Sequence, residues 1–283
     1  MLGIKRLLTR RNFFLAAGTA AAALGGYTFG IEPHWVETVE HNLPIVGLPA
    51  FWHGRRIVQL SDLHIGKQVD PEYLRSVLRG VANLSPDLVV ITGDFTTVGD
   101  AHSMEQAERL LGELHHAQLP TLGVLGNHDY GYRFRDHRGA DRLTAILRER
   151  KIRVLRNEVC EIEGLQFIGI DDFWSPNFDA RRAMAQLDRD RASLVLCHNP
   201  DVADLDLWDG YRGWMLSGHT HGGQCKPPFL PAPILPVKNR NYVAGDYLVG
   251  PERRLYINRG VGHLLQARCN ARPEVTVHTL VST

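Results

Sequence analysis

Apolar runs alternate with amphipathic segments in the first half of the chain. Arg56–Ser61, Asp87–Thr92 and Thr121–Leu125 are rich in aliphatic residues and are typical of buried β-strands. Other segments carry apolar residues at the i, i+3, i+4 spacing that forms one face of a helix. These helix positions are Leu74, Val77, Leu78 and Val81; Met104, Ala107, Leu110, Leu111 and Leu114; and Leu143, Ile146 and Leu147. The alternation predicts parallel βαβ units with right-handed crossovers.

From residue 152 onward the apolar runs become shorter and lie closer together. They predict further strands near residues 152–155, 165–170, 193–197, 214–217, 242–249, 255–258 and 275–280. No internal repeat, low-complexity tract or clear linker interrupts this part of the sequence. We therefore expect a single α/β domain over residues 50–283, in which two sheets pack against each other.

Polar groups follow the predicted strands at the points where the strands end. Because the carboxyl ends of parallel strands share one edge of a sheet, we expect these groups to lie close together. The segments are Asp62-Leu63-His64, Gly93-Asp94, Gly126-Asn127-His128-Asp129, Cys197-His198 and Gly218-His219-Thr220-His221. Taken singly, an aspartate here is readily a turn cap and a histidine a satisfied core residue. Their joint occurrence at strand ends indicates a functional site.

The segment Gly218–Gln224 carries two imidazoles two residues apart. In an extended strand, side chains at i and i+2 point to the same face, so His219 and His221 are predicted to leave the sheet together. The same reasoning applies to Asp62 and His64. Neutral imidazoles aimed at one point suit a transition metal, and the flanking glycines let a ligand approach closely. The pattern predicts a metal site if other strand ends supply further ligands.

Composition narrows the class of protein. The 283 residues, with 44% hydrophobic and 22% charged residues, are ordinary for a globular protein with a sizeable core. A formal net charge of +1 gives no support for a nucleic-acid partner, which usually requires a basic excess. The four cysteines allow three disulfide pairings, between which the sequence does not choose, and buried free thiols are the simpler interpretation.

Residues 1–30 have the layout of an export signal. Basic residues, the last two being Arg10-Arg11, precede an apolar segment from Phe13 to Gly26. Thr9–Leu15 resembles the twin-arginine signal, which the twin-arginine translocation machinery uses to export folded proteins. The alternative is a chance arginine pair before a short membrane anchor. Both alternatives predict a domain in the periplasm or at the outer face of the cytoplasmic membrane.

The five strand-end segments, in this order, resemble the signature of the calcineurin-like metallophosphoesterases. Gly218–Gln224, Arg259-Gly260-Val261-Gly262 and Arg272-Pro273-Glu274 are most similar to the bacterial YaeI/YkuE-type phosphodiesterase branch. The resemblance covers residues 50–280. It implies a four-layer αββα sandwich, in which two packed mixed β-sheets are flanked by helices.

The resemblance also implies a centre of two divalent metal ions. The positions that match one ion's ligands are Asp62, His64, Asp94 and His221, and those that match the other's are Asp94, Asn127, His198 and His219. Asp94 would bridge the ions, and the two histidines of Gly218–Gln224 would serve different ions. Mixed nitrogen and oxygen ligands without a thiolate suit Mn²⁺, Fe or Zn²⁺, and the resemblance favours Mn²⁺.

The charge balance of this centre predicts its substrate. Two divalent ions bring four positive charges, whereas Asp62 and Asp94 supply two negative ones, so a net charge of about +2 favours a phosphate anion. The resemblance implies in-line attack on phosphorus by a hydroxide that bridges the ions. It assigns His128 to the leaving oxygen, as proton donor or transition-state stabiliser, and Asp129 would orient and pair with His128.

We therefore expect a dinuclear metal-dependent phosphodiesterase. One alternative is a pyrophosphohydrolase acting on a nucleotide-linked lipid such as UDP-diacylglucosamine, and another is a non-catalytic scaffold on the same fold. The complete ligand set and His128 favour an enzyme.

Two loops bear on substrate choice. The residues after Asp129 (Tyr130, Tyr132, Arg133 and Arg135) either contact substrate or form a solvated loop. The loop Pro227–Val237, with Phe229 and Leu230, either packs on the second sheet or contacts lipid or a lipid-linked phosphodiester.

Overall fold

Two six-stranded mixed β-sheets pack face to face in the computed structural model, which describes residues 9–283. The first sheet has the order β1-β12-β2-β3-β4-β5, with β1 (Glu37–Ile45), β12 (Glu274–Ser282), β2 (Arg56–Leu60), β3 (Leu88–Thr92), β4 (Thr121–Val124) and β5 (Ile152–Val154). The second has the order β10-β11-β9-β8-β7-β6, with β10 (Gly245–Leu248), β11 (Arg253–Ile257), β9 (Gly213–Ser217), β8 (Ser193–Cys197), β7 (Leu165–Ile170) and β6 (Glu158–Ile162). Strands β2 to β5 run parallel, as do β7, β8, β9 and β11, which confirms the predicted parallel units.

Aspartate side chains cap the N-termini of four helices. The helices are α1 (Arg10–Gly26), α2 (Pro71–Val81), α3 (Ala101–His116), α4 (His137–Glu149) and α5 (Ala180–Ala185). The carboxylates that accept a hydrogen bond from a first-turn N–H belong to Asp70, Asp100, Asp136 and Asp179, before α2 to α5. Each such cap satisfies a backbone donor that would otherwise lack a partner.

The fold has four layers of helices and sheets, and a hydrophobic cluster fills each of the three spaces between adjacent layers. Alternate residues of β8 show why: Leu194 and Leu196 face the first sheet, whereas Val195 and Cys197 face α5. The outer face of the first sheet packs against α2, α3 and α4. The predicted αββα sandwich is thereby confirmed.

Strand β1 lies outside the predicted pattern. Its exposure alternates along the strand and Pro44 interrupts it, so its sequence carries no continuous apolar run. Because β1 is an edge strand, parallel to β12, proline is tolerated there. The first sheet thus begins before residue 50, where we expected the domain to start.

The N-terminal helix α1 has no buried residue. Together with the short helical turns that follow it, α1 forms a continuous apolar helix, Arg10–His34, that is long enough to cross a membrane, as export signals also are. Residues 1–8 of the predicted signal lie outside the described residues.

Candidate metal centre

Side chains from the ends of both sheets meet in two groups of potential metal ligands. Within each group, one nitrogen or oxygen atom of every residue lies within 4.8 Å of the others. The groups are Asp62, His64 and His221, and Asp94, His198 and His219, all buried. Each group contains three of the four residues that the family resemblance implied for one ion.

The backbone at five of these six residues is left-handed rather than extended. The φ angles are 51° at Asp62, 47° at His64, 52° at Asp94, 74° at His219 and 50° at His221. The expectation that i and i+2 residues share a strand face is therefore wrong, because β2 and β9 end before the ligand pairs. Tight left-handed turns bring the side chains together instead. Such conformations are unfavourable for non-glycine residues and persist at sites that the surrounding structure fixes.

Two glycines make room for the carboxylates. A Cβ atom on Gly126 would collide with the Asp94 carboxylate, and one on Gly218 would collide with Asp62. Only glycine therefore permits these close approaches of the backbone to the carboxylates.

Asp94 belongs to the second group and also approaches the first. Its Oδ2 is 3.1 Å from Nε2 of His198 and 3.6 Å from Nε2 of His64, while its Oδ1 accepts a hydrogen bond from the N–H of His128. Asp62 in turn accepts from the N–H of His219 at 3.0 Å. Backbone donors therefore orient both carboxylates, and Asp94 can reach a ligand position in either group.

Carbonyl oxygens set the tautomers of two histidines. Nδ1 of His198 lies 2.7 Å from the carbonyl oxygen of Thr92, and Nε2 of His219 lies 2.8 Å from that of Pro236. A ring nitrogen that faces a carbonyl must carry a proton, so in the neutral ring the opposite nitrogen keeps its lone pair. Those opposite atoms, Nε2 of His198 and Nδ1 of His219, lie 3.2 Å apart and face each other. This arrangement resembles the outer-shell support typical of metal-binding histidines.

Burial keeps most of these imidazoles neutral. It lowers the pKa of His64 and of His219 to about 3, and that of His221 well below its usual value. At His198 burial opposes protonation, but the carboxylates of Asp94 and Asp62 outweigh it and raise the pKa well above the usual value. A metal ion would take the lone pair that this proton occupies, so binding would release the proton.

An unpartnered buried oxygen also fits a metal. The side-chain oxygen of Asn127 is buried and has no hydrogen-bond partner among the described residues. Asn127 lies in the loop that follows β4, at the same edge of the first sheet as Asp94. A buried amide oxygen without a partner is unfavourable unless something else accepts its lone pairs. The residues of the centre therefore fit a pair of divalent ions.

His128 lies beside the centre but outside both ligand groups. Its Nδ1 is 2.8 Å from the carbonyl oxygen of Thr97, and its ring meets that of His64 edge to face, with centroids 5.0 Å apart. The hydrogen bond assigns the Nδ1 proton and leaves Nε2 free.

Asp129 does not make the predicted contact with His128. Its buried carboxylate accepts hydrogen bonds from the N–H groups of Phe95, Thr96 and Gly126 at 2.9–3.2 Å. Phe95 and Thr96 lie in the loop that follows β3, and Gly126 lies in the loop that follows β4. The Asp129 carboxylate therefore holds these two loops together. The orienting contact of His128 is the Thr97 carbonyl instead.

Sequence reasoning missed an aromatic wall beside the centre. Phe134 and Trp174 stack with their centroids 5.7 Å apart and an interplanar angle of 28°. Phe134 contacts the ring of His128, and Trp174 contacts that of His219, with centroids 5.3 and 4.6 Å apart. The wall therefore links the two halves of the site. A signal for it existed, since Asp171-Asp172 directly follow β7 and form another polar strand end just before Trp174.

Tyr130 fits neither alternative considered for its loop. It is fully buried and donates to Asp171 at 2.6 Å. Tyr132, Arg133 and Arg135 are exposed, as a solvated loop requires.

Comparison with known proteins identifies this arrangement. A model of the family described as calcineurin-like phosphoesterase matches residues 55–223. The chain belongs to this family. It is 34% identical to the uncharacterized metallophosphoesterase YkuE of Bacillus subtilis (strain 168), over 98% of this chain and 99% of the relative. It is 33% identical to the phosphodiesterase YaeI of Escherichia coli (strain K12), over 97% of this chain and 100% of the relative.

The name of a further relative specifies a nucleotide-linked lipid as its substrate. The chain is 28% identical to UDP-2,3-diacylglucosamine pyrophosphatase LpxG of Chlamydia trachomatis, over 87% of this chain and 89% of the relative. Together these findings confirm the predicted family and a metal-dependent phosphoesterase. The family and the two residue groups indicate two divalent metal sites. The roles of the individual residues stay predictions.

Proposed function

We propose that the chain is an exported phosphodiesterase that uses two Mn²⁺ ions to hydrolyse a lipid-linked phosphodiester at the outer face of the cytoplasmic membrane. The observation that carries the catalytic part is the position of Asp94, within reach of both ligand groups. Fe and Zn²⁺ are the alternative metals, because the ligands are imidazoles, carboxylates and an amide oxygen.

The ligands divide between two ions that share Asp94. Asp62, His64, Asp94 and His221 would hold one, and Asp94, Asn127, His198 and His219 the other. When bound, the ions activate water as a nucleophile and offset the charge of the phosphate group.

His128 acts on the leaving oxygen. Because its Nδ1 proton is engaged by the Thr97 carbonyl, Nε2 is the ring atom left to exchange a proton. Asp129 supports this step indirectly, because it fixes the loop that carries His128 against the loop that carries Asp94.

The test is hydrolysis of bis-p-nitrophenyl phosphate by metal-free protein reloaded with Mn²⁺, Fe²⁺ or Zn²⁺. We expect activity to be highest with Mn²⁺ and to exceed that toward p-nitrophenyl phosphate, a monoester. Inactivity with every divalent metal would overturn the proposal, as would full activity in Asp94→Ala and His128→Ala.

Exposed apolar side chains near the centre favour a substrate in a membrane. Phe229 is fully exposed, and Leu230, Ile234 and Leu265 are exposed as well, although Leu235 of the same loop is buried. The predicted packing of the whole loop on the second sheet is thus only partial.

Hydrogen bonds connect this surface to the end of the N-terminal helix. The side chain of Gln224 donates to the Leu265 carbonyl, and that of Gln266 donates to the Phe29 carbonyl, at 2.9 and 3.0 Å. A chain anchored through its N-terminal helix would therefore hold the apolar surface and the metal centre near the bilayer.

Liposome co-sedimentation tests this contact. A chain lacking residues 1–26 is expected to bind vesicles, and Phe229→Ser with Leu230→Ser is expected to weaken binding several-fold. Val46→Ser is the control, because Val46 is as exposed as Leu230 but lies at the end of the first sheet that is opposite the metal centre. Equal binding by all variants would contradict membrane contact.

The pyrophosphohydrolase alternative has specific support in the Chlamydia relative, whose name specifies UDP-2,3-diacylglucosamine. Comparing that lipid with a phosphodiester lipid in mixed micelles separates the two candidates. Faster cleavage of the nucleotide-linked lipid would favour the alternative.

Export is tested by cell fractionation. We expect Arg10→Lys with Arg11→Lys to retain the protein in the cytoplasm, since the twin-arginine route reads that pair. Unchanged export in this variant would show that another route is used.

A further inference from the structure

Cys225 and Cys269 occupy paired positions in an isolated parallel β-bridge. The N–H of Cys269 donates to the carbonyl of Gln224 at 2.9 Å, and the N–H of Lys226 donates to the carbonyl of Cys269 at 2.8 Å. The two hydrogen bonds hold Cys269 directly opposite Cys225. This bridge joins the segment that follows His221 to a segment near the C-terminal end of the chain.

The backbone spacing of this pairing suits a disulfide between the two cysteines, which are free thiols in the structure. Neighbouring strands lie about 4.8 Å apart, and paired residues of parallel strands direct their side chains to the same face. Disulfides require a Cα–Cα distance of about 4.4–6.8 Å. Both cysteines are half-buried, so solution thiols and disulfides can reach them. We propose that Cys225 and Cys269 form a disulfide bond.

The other two cysteines are not in a position to compete. Cys160 lies on β6 in the core between the sheets, whereas Cys197 ends β8 in the core beneath α5. Strand β7 separates β6 from β8, and both thiols are buried. The structure therefore supports no disulfide bond to Cys160 or to Cys197.

The bond would restrain ligands of the metal centre. Cys225, at one end of the bond, lies four residues after His221. Cys269, at the other end, directly follows Arg268, whose buried guanidinium donates to the carbonyls of Gly260 and Gly262 at 3.1 and 2.6 Å. Gly260 in turn packs against Asp62, at a distance that excludes any larger residue. The disulfide therefore ties the segment of one ligand to the segment that supports another, and it slows escape of a bound ion.

The oxidant is a low-molecular-weight disulfide. One cysteine thiolate attacks a sulfur of that disulfide and displaces one thiol, leaving a mixed disulfide on the protein. The second thiolate attacks the protein sulfur of the mixed disulfide and displaces the other thiol. The two protein thiols lose two electrons and two protons in total, and the oxidant gains them as two thiols.

Thiol titration tests the bond in the full chain. After incubation with oxidised glutathione, we expect the four free thiols to fall to two and the peptides that contain Cys225 and Cys269 to be joined. Four remaining thiols, stable glutathione adducts at these cysteines, or a joined peptide that contains Cys160 or Cys197 would each overturn the proposal.

Metal retention tests the consequence separately from hydrolysis. The protein is loaded with Mn²⁺, and the loss of bound Mn²⁺ to excess EDTA is followed by elemental analysis. We expect loss from the oxidised protein to be about tenfold slower than from Cys225→Ser, and its Tm to be about 5–10 °C higher.

Cys269→Ser should behave like Cys225→Ser, whereas Cys160→Ser should keep the oxidised behaviour. Equal rates of Mn²⁺ loss in the oxidised protein and in Cys225→Ser would contradict the proposed restraint. The thiol count does not depend on catalysis, so the disulfide can fail or hold independently of the proposed function.

Discussion

The carbonyl oxygen of Pro236 lies 2.8 Å from Nε2 of His219 and fixes which nitrogen of that ring faces the metal centre. Pro236 belongs to the loop whose tip carries the exposed Phe229. The same loop therefore presents an apolar surface outward and positions a metal ligand inward. A displacement of the loop would change the orientation of His219.

Pro236→Gly should weaken binding of the ion that His219 holds. Glycine frees the backbone at this position and loosens the carbonyl that orients the ring, so we expect about a tenfold loss of Mn²⁺ affinity at one of two sites. Isothermal titration with Mn²⁺ measures this. Pro233→Gly, at an exposed position of the same loop, should bind both ions normally. An equal loss in both variants would point to general loosening of the loop.

Asp94→Asn should remove most activity together with bound metal. The amide keeps the shape of the side chain but loses the negative charge that two cations would share, so hydrolysis should fall by at least about 100-fold. Elemental analysis and hydrolysis of bis-p-nitrophenyl phosphate check both effects. Asp206→Asn alters an exposed aspartate and serves as the control. Full metal content with full activity would argue against a bridging role for Asp94.

His128→Gln should separate catalysis from metal binding. His128 lies outside both ligand groups, so the variant should keep two ions while kcat falls by about 10²–10⁴-fold. The metal content and the rate are measured on the same preparation. Loss of metal from this variant would instead indicate that His128 is a ligand.

Trp174→Ala should change how leaving groups are distinguished. The ring lies against His219 and Phe134 at the side of the centre, where it can stack on an aromatic leaving group for about 0.5–1.5 kcal/mol. We expect kcat/KM for bis-p-nitrophenyl phosphate to fall about 2- to 10-fold, with little change for an aliphatic diester. Tyr132→Ala, at an exposed position, is the control. A uniform fall for both substrates would indicate a supporting role only.

Stability should fall in acid partly through His278, which lies in β12 and belongs to neither ligand group. Burial lowers its pKa to about 3, against about 6.5 in the unfolded chain. The unfolded state therefore binds more protons between these values, and stability decreases as the pH falls through 6.5. From pH 7 to pH 5 the loss is about 2 kcal/mol.

Urea unfolding at pH 7 and pH 5 measures this contribution. His278→Gln should lose about 2 kcal/mol less than the native chain over that interval, whereas His102→Gln, at an exposed position, should match the native chain. An unchanged pH dependence in His278→Gln would show that the ring is not kept neutral by burial.

Much of the fold followed from local patterns. The strands before Asp62 and Asp94 and the helices between them were predicted because burial requires uninterrupted aliphatic residues or a 3.6-residue period. Strand β1 was not predicted, because an edge strand needs no uninterrupted aliphatic run and Pro44 is unusual within a strand. The expected pairing of Asp129 with His128 is wrong, because the Asp129 carboxylate accepts hydrogen bonds from buried N–H groups of a neighbouring loop.

The sequence by itself determined which residue types end the strands, and with them the family and a set of candidate ligands. Polar residues that interrupt buried strands are a local signal, visible without knowledge of distant contacts. Only the tertiary structure decided how His219 and His221 converge, through left-handed turns and not through a shared strand face. It alone brought Phe134 to Trp174 and Cys225 to Cys269. These contacts depend on how two sheets and their loops pack, and no local periodicity encodes that arrangement.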